Sequence, residues 1–102
     1  MAKLVLLYPE PADRKAFDDY YFNTHVPIAL KIPGLRSYEV SKGVTSSDAA
    51  KVIHLVAELG FDTMEDLNAA LASAESAAAG ADLVNFAPPG VESLIFETRQ
   101  LV

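Results

Sequence analysis

A chain of 102 residues with 51% apolar and 22% charged side chains has the makings of one folded globular domain, able to bury about two-thirds of its unfolded surface. It contains no cysteine, which excludes disulfides, thiolate metal ligands and a cysteine nucleophile together. The net charge of −6 arises wholly in residues 51–102, where two basic side chains (Lys51, Arg99) stand against eight acidic ones; an acidic chain without a basic cluster suits neither nucleic acid nor anionic lipid.

Lys3-Leu4-Val5-Leu6-Leu7-Tyr8 reads as a buried strand stopped by Pro9 and Pro11. This opening run is too short for the apolar region of a signal peptide, and no run approaches bilayer-spanning length, so a cytoplasmic protein with no membrane partner is expected. Asp13 is placed to cap a helix on which Phe17, Tyr21, Thr24 and Ile28 share one stripe, with Tyr20 and His25 at its two edges. Pro27 removes a backbone donor and disfavours helix at Val26, so this helix should end or kink close to His25. Pro33-Gly34 makes a turn, residues 37–44 a second strand with Tyr38 and Val40 on one face, residues 45–50 a polar connection and residues 51–61 the clearest strand.

Asp62-Thr63-Met64-Glu65 has the form of an N-cap with an acidic residue three positions on. The helix it opens presents Met64, Leu67, Leu71, Ala74 and Ala78 inward and stops at Gly80. Residues 82–90, with Phe86 and Pro88-Pro89, read as an irregular loop, and residues 91–102 as a closing strand. The order strand, helix, strand, strand, helix, strand over a single domain of residues 1–102 predicts a ferredoxin-like α+β fold. Its four-stranded antiparallel sheet carries two helices on one face.

Two helices cover only one face of a sheet. The third strand, however, is apolar on both: Ile53, Leu55, Ala57 and Leu59 on one, Val52, His54 and Val56 on the other. The first strand likewise sets Leu4, Leu6 and Tyr8 against Val5 and Leu7. Soluble monomers rarely expose such a patch, so a homodimer packed sheet to sheet is expected.

Tyr8-Pro9, the aromatics from Phe17 to Tyr21, His25-Val26-Pro27 and Pro33-Gly34-Leu35-Arg36 together resemble the EthD family of dimeric α/β-barrel proteins. The resemblance extends over nearly the whole chain, including Phe61-Asp62 and the late Phe86. It implies a subunit whose sheet pairs with a second copy, and a pocket between sheet and helices. EthD itself is associated with a cytochrome P450 system that degrades an ether fuel additive. Relatives of the same architecture include cofactor-independent monooxygenases, muconolactone isomerase, polyketide cyclases and haem-degrading enzymes. Fold membership does not choose among these chemistries.

His25 occupies the matching position of the family's His-x-Pro motif, which makes it the candidate catalytic residue: a neutral imidazole able to take up a proton and return it. The structural alternative is that His25 caps the last carbonyls of its helix. Tyr8, Tyr21, Phe17 and Phe86 are the candidate ligand-binding side chains. Tyr8, Tyr20, Tyr21 and Tyr38 carry hydroxyls suited to a substrate oxygen, with core packing the simpler role for Tyr20 and Tyr38. The loop at 82–90 is either a lid over the pocket or a connection whose Phe86 plugs the core. His54 shares a face with Val52 and Val56 and should point at the partner sheet.

Two histidines with twenty-eight residues between them match no metal pattern, and no glycine-rich phosphate loop exists, so neither metal nor cofactor is expected. A haem with His25 as axial ligand is the one exception the chemistry leaves open. Three functions fit: an oxidoreductase-type enzyme on a small hydrophobic molecule with His25 as general base, a non-catalytic binding protein serving a partner oxidase, and an isomerase or cyclase using the same imidazole.

Overall fold

The computed structural model describes all 102 residues. Strand β1 (Ala2–Pro9) is followed by helix α1 (Arg14–Tyr20), a π-helical turn (Tyr21–His25) and a short helix α2 (Val26–Ala29). Strands β2 (Ser37–Val40) and β3 (Ile53–Phe61) come next, then helices α3 (Met64–Leu71) and α4 (Ala74–Asp82), a 3₁₀ turn (Leu83–Asn85) and strand β4 (Glu92–Glu97). The four strands form one antiparallel sheet in the order β2-β3-β1-β4, the ferredoxin-like arrangement. No helix is long and apolar enough to cross a membrane.

Register sets the core. Leu4 pairs with Leu59, Leu6 with Ala57 and Tyr8 with Leu55, and these side chains meet Phe17, Tyr21, Ala29, Leu67 and Ala79 from the helices. The opposite face carries Val5 and Leu7 of β1, Val56 of β3, and Leu94 and Phe96 of β4, by the pairings Val5 with Leu94 and Leu7 with Val56. Leu94 and Phe96 remain 49% and 41% exposed on that face. The apolar outer surface read from the sequence is therefore present.

Asp13 caps α1 by accepting from the backbone N–H of Ala16. The helix does not end near His25 but widens, with Val26 N–H donating to the Tyr21 carbonyl five residues back. In an ordinary helix the Pro27 ring would collide with the carbonyl of Asn23 and leave it without a donor, and the turn widens just before Pro27. It also shifts the buried stripe, which runs Phe17, Tyr21, His25, Ala29 and not through Thr24. Thr24 is exposed and His25 buried, the reverse of an unbroken 3.6-residue count.

Other boundaries move for local reasons. Thr63, not Asp62, is the N-cap of α3, its hydroxyl accepting from Asp66 N–H. Ser73 starts a new helix by capping Ser76 N–H, so the expected single helix is two, and Leu71 and Ala74 face solvent. Gly80 lies within α4, which continues to Asp82. Strands β2 and β4 are shorter than expected, and the turn at Gly34 uses its positive φ of 77°.

Candidate functional site

The junction of Tyr20 and Tyr21, where α-helix becomes π turn, leads to His25 in the interior. There it meets Asp82, the last residue of α4. His25 is 3% exposed and Asp82 7%, and His25 Nδ1 lies 2.9 Å from Asp82 Oδ2. The other carboxylate oxygen accepts from the Tyr20 hydroxyl at 2.6 Å and from Asn85 Nδ2 at 3.0 Å. One carboxylate thus ties α1, the π turn, α4 and the 3₁₀ turn together.

Burial by itself would push the Asp82 carboxyl up. The hydrogen bonds from Tyr20, Asn85 and His25 outweigh it and hold the group below its ordinary range. Asp82 is accordingly a carboxylate, an acceptor only, so Nδ1 of His25 carries the proton and donates it. In the neutral ring Nε2 then bears the lone pair. His25 makes no hydrogen bond through Nε2 within the chain.

His25 lines a narrow cavity of about 110 Å³ between the sheet and helices α2 and α4. Leu4, Leu6, Leu59, Ile32 and Leu83 supply apolar walls, and Tyr38 is the other polar-tipped side chain of large size. Tyr21 does not line this cavity, contrary to the expectation for an imidazole at the stripe's edge; it packs against His25 at 5.4 Å between ring centroids and sends its hydroxyl to that of Tyr38, 2.6 Å away. Tyr38, read from the sequence as core packing, thereby belongs to the site.

Tyr8, Phe17, Tyr21 and Phe86 form an aromatic cluster of which Tyr21 and Phe86 meet the imidazole, and none of the four lines the cavity. Phe86 is its hub, with centroids 4.8 Å from His25, 5.2 Å from Tyr20, 5.4 Å from Phe17 and 6.0 Å from Tyr8. Phe86 is half-buried, neither sealed in the core nor remote from the cavity. With Phe17 and Tyr20 it also borders an open groove running along Pro88 and Pro89. The Tyr8 hydroxyl is buried without any hydrogen-bond partner. Burial, then the nearby Tyr38 and Asp82, pushes its ionisation far up, and burial does the same for Tyr21 and Tyr38. All three stay protonated donors.

His54 does not face outward as the strand's alternation suggests. Tyr8 pairs with Leu55 but Pro9 with Ile53, a bulge at His54 that turns its side chain toward the helices. Its Nε2 sits 2.8 Å from Asp18 Oδ1 and its ring meets Phe17 edge-on at 5.0 Å. Asp18 of α1 is therefore bonded to that histidine. Asp82 escaped the sequence reading because its partner is 57 residues away. The one hint was an acidic residue closing an alanine-rich helix, where a cation would be favoured.

Fold and site together define a ferredoxin-like α+β protein with a buried His–Asp pair beside an apolar cavity. Residues 9–90 match the EthD domain, as the His25-Val26-Pro27 and Pro33-Gly34-Leu35-Arg36 segments suggested, and the chain belongs to the EthD family. It is 33% identical over 102 residues, 98% of the other chain, to an uncharacterized 11.0 kDa protein in the thcB–thcC intergenic region of Rhodococcus erythropolis. An ethyl tert-butyl ether D (EthD) family protein of Bacillus halodurans C-125 superposes with a TM-score of 0.87 at 39% identity, over 97% of this chain and 99% of that one. SnoaB, a cofactor-independent oxygenase of Streptomyces nogalater, superposes with a TM-score of 0.62 at 15% identity, over 99% and 95% of the two chains. At that identity the likeness is one of fold.

Proposed function

We propose that this protein binds a small hydrophobic compound between sheet and helices and that His25 takes a proton from it. The observation that carries the reading is the buried His25–Asp82 pair at 2.9 Å beside an apolar cavity. Asp82 fixes the tautomer that leaves Nε2 as the base and stabilises the imidazolium once formed, a role a cap of helix carbonyls would not require. Phe86 and the aromatic cluster keep water from the imidazole. The cofactor-independent oxygenase of the same fold is consistent with such chemistry needing no resident cofactor.

The binding half is tested by titrating the labelled protein with methylenecyclohexane and following amide shifts. Saturable shifts at Leu6, Leu59 and Ala79 are expected; their absence would leave the cavity a packing defect.

We infer in addition that two copies pack through the outer sheet face, where Leu94 and Phe96 stand exposed and which Val56, two strands away, shares. Sedimentation at micromolar concentration is expected to give about twice the chain mass. Val56→Glu should shift it toward the monomer, and the same change at exposed Asp19 should not. A wild-type protein that sediments as a monomer would contradict this.

A further inference from the structure

We propose that His54 and Asp18 form a second binding site, in the open groove between α1 and the strands β2 and β3, and that this site takes small neutral phenols. The groove shares no residue with the cavity that His25 lines, and the site goes beyond the reading of that cavity.

Three features converge on His54. The bulge opposite Tyr8 and Pro9 takes its side chain out of the strand's alternation, and His54 lines the groove; bulges of this kind re-aim a side chain. Asp18 holds its Nε2 at 2.8 Å, and the Phe17 ring meets the imidazole edge-on at 5.0 Å, so the ring is fixed from two sides. Nδ1, in contrast, makes no hydrogen bond in the chain. The buried side-chain atoms without a partner are the Tyr8 hydroxyl and Ser37 Oγ alone, so Nδ1 is reachable from outside. A histidine that merely braced α1 against the sheet would need no groove of about 710 Å³ beside it, a volume within the range of small-molecule sites.

The walls select the ligand. Asp18 is half exposed and, as a carboxylate, only accepts; Nε2 therefore carries the proton, and in the neutral ring Nδ1 bears the lone pair. The carboxylate behind the ring polarises it and makes Nδ1 the stronger acceptor. A ligand must bring an O–H, and the more acidic hydroxyl of a phenol matches this acceptor better than that of an aliphatic alcohol. Charge is balanced: Arg14 is bonded to Glu10, and Lys42 stands on the same groove as Asp18. With no net charge to offer, the groove suits a neutral molecule, since a carboxylate would lose solvation without compensation. Phe22, Val44 and Val52 line the groove and stand exposed, leaving apolar surface for the ring, with Phe22 as its aromatic neighbour.

The probes are p-cresol and p-methylanisole, which keeps the ring and the oxygen but has no O–H. Both are titrated into the ¹⁵N-labelled protein at about pH 8, above the ordinary imidazole range. p-Cresol should shift the amides of Phe22, Val44 and Val52 saturably and move the His54 Nδ1 resonance as that nitrogen accepts a hydrogen bond. p-Methylanisole should bind about three- to tenfold more weakly, the loss of one hydrogen bond. His54→Leu should raise the Kd of p-cresol to that of p-methylanisole and leave the latter unchanged. That variant also loses the bond to Asp18 and with it some Tm, so the ratio of the two Kd values in wild type is the readout that does not depend on it. Equal Kd values for the two probes, an unmoved Nδ1 resonance at saturation, or shifts confined to Leu6, Leu59 and Ala79 beside the His25 cavity would overturn the site. Failure of p-cresol to bind would overturn it as well.

Discussion

Replacing Asp82 by Asn changes a single atom, yet the surroundings dictate a specific consequence. In the wild type Oδ1 accepts from Tyr20 and Asn85 while Oδ2 accepts from His25 Nδ1. An amide at this position has one oxygen. If that oxygen turned toward His25, its NH₂ would oppose the Asn85 NH₂, donor against donor. The favoured orientation keeps the oxygen on Tyr20 and Asn85 and directs NH₂ at His25. Nδ1 must then accept, and the imidazole proton moves to Nε2.

Three hydrogen bonds lose their charge assistance, each weakening by about 1 kcal/mol, and relief from burying a charge offsets part of it. A net loss of about 1–3 kcal/mol follows, or very roughly 5–20 °C in Tm for a domain of this size. The pH dependence has a definite sign. The Asp82 carboxyl titrates lower folded than unfolded, so its contribution is fully present above about pH 4 and fades as pH falls through the folded value. The gap between wild type and Asp82→Asn should close in acid. The assay is a thermal melt across pH, paired with ¹⁵N shifts of the imidazole at neutral pH, where the roles of Nδ1 and Nε2 should exchange. Unchanged imidazole shifts together with an unchanged Tm would refute the reasoning.

The buried phenols make an alkaline counterpart. Tyr8, Tyr21 and Tyr38 all ionise higher folded than unfolded, so their stabilising effect is complete below about pH 10 and lost as pH rises beyond it; phenolate absorbance for these residues should therefore appear with loss of the circular dichroism signal, and a normal titration of the folded protein would contradict it. On the outer face, a Cβ at Gly60 would collide with Ser37 Oγ, itself buried without a partner. Gly60→Ala should cost about 1–3 kcal/mol in a denaturant melt, and most of that should return in the Gly60→Ala/Ser37→Ala double variant; additive losses would show that the strain lies elsewhere.

What the sequence made legible follows from the range of each interaction. The succession of strands and helices along the chain, the Asp13 cap, the Pro33-Gly34 turn and the doubly apolar strands are written in residues close together along the chain, and all are present. His25 was found because Pro27 stands two residues on. The path by which it becomes buried was not, since a π turn leaves no periodicity of its own: counting by 3.6 places Thr24 inward, and the wider turn puts His25 there instead. The break at Ser73 was hidden by alanines that suit either one helix or two. Asp82 and the bulge at His54 depend on contacts 57 and 36 residues apart, which no local pattern encodes. The hydroxyl pairing of Tyr21 with Tyr38 is of the same kind, a meeting of α-layer and sheet that only register decides.

The account stands most directly on His25 as a base. Glutamine at this position keeps an N–H donor for Asp82 and removes the lone pair at Nε2. Exchange of the α-hydrogens of cyclohexanone for deuterium, followed by NMR in D₂O, reads proton abstraction without requiring the natural substrate. The wild type should accelerate exchange over buffer, and His25→Gln, folded by circular dichroism, should lose about 10²- to 10⁴-fold, the range a general base supplies. Equal exchange by the two proteins would contradict the assignment and return His25 to a structural role.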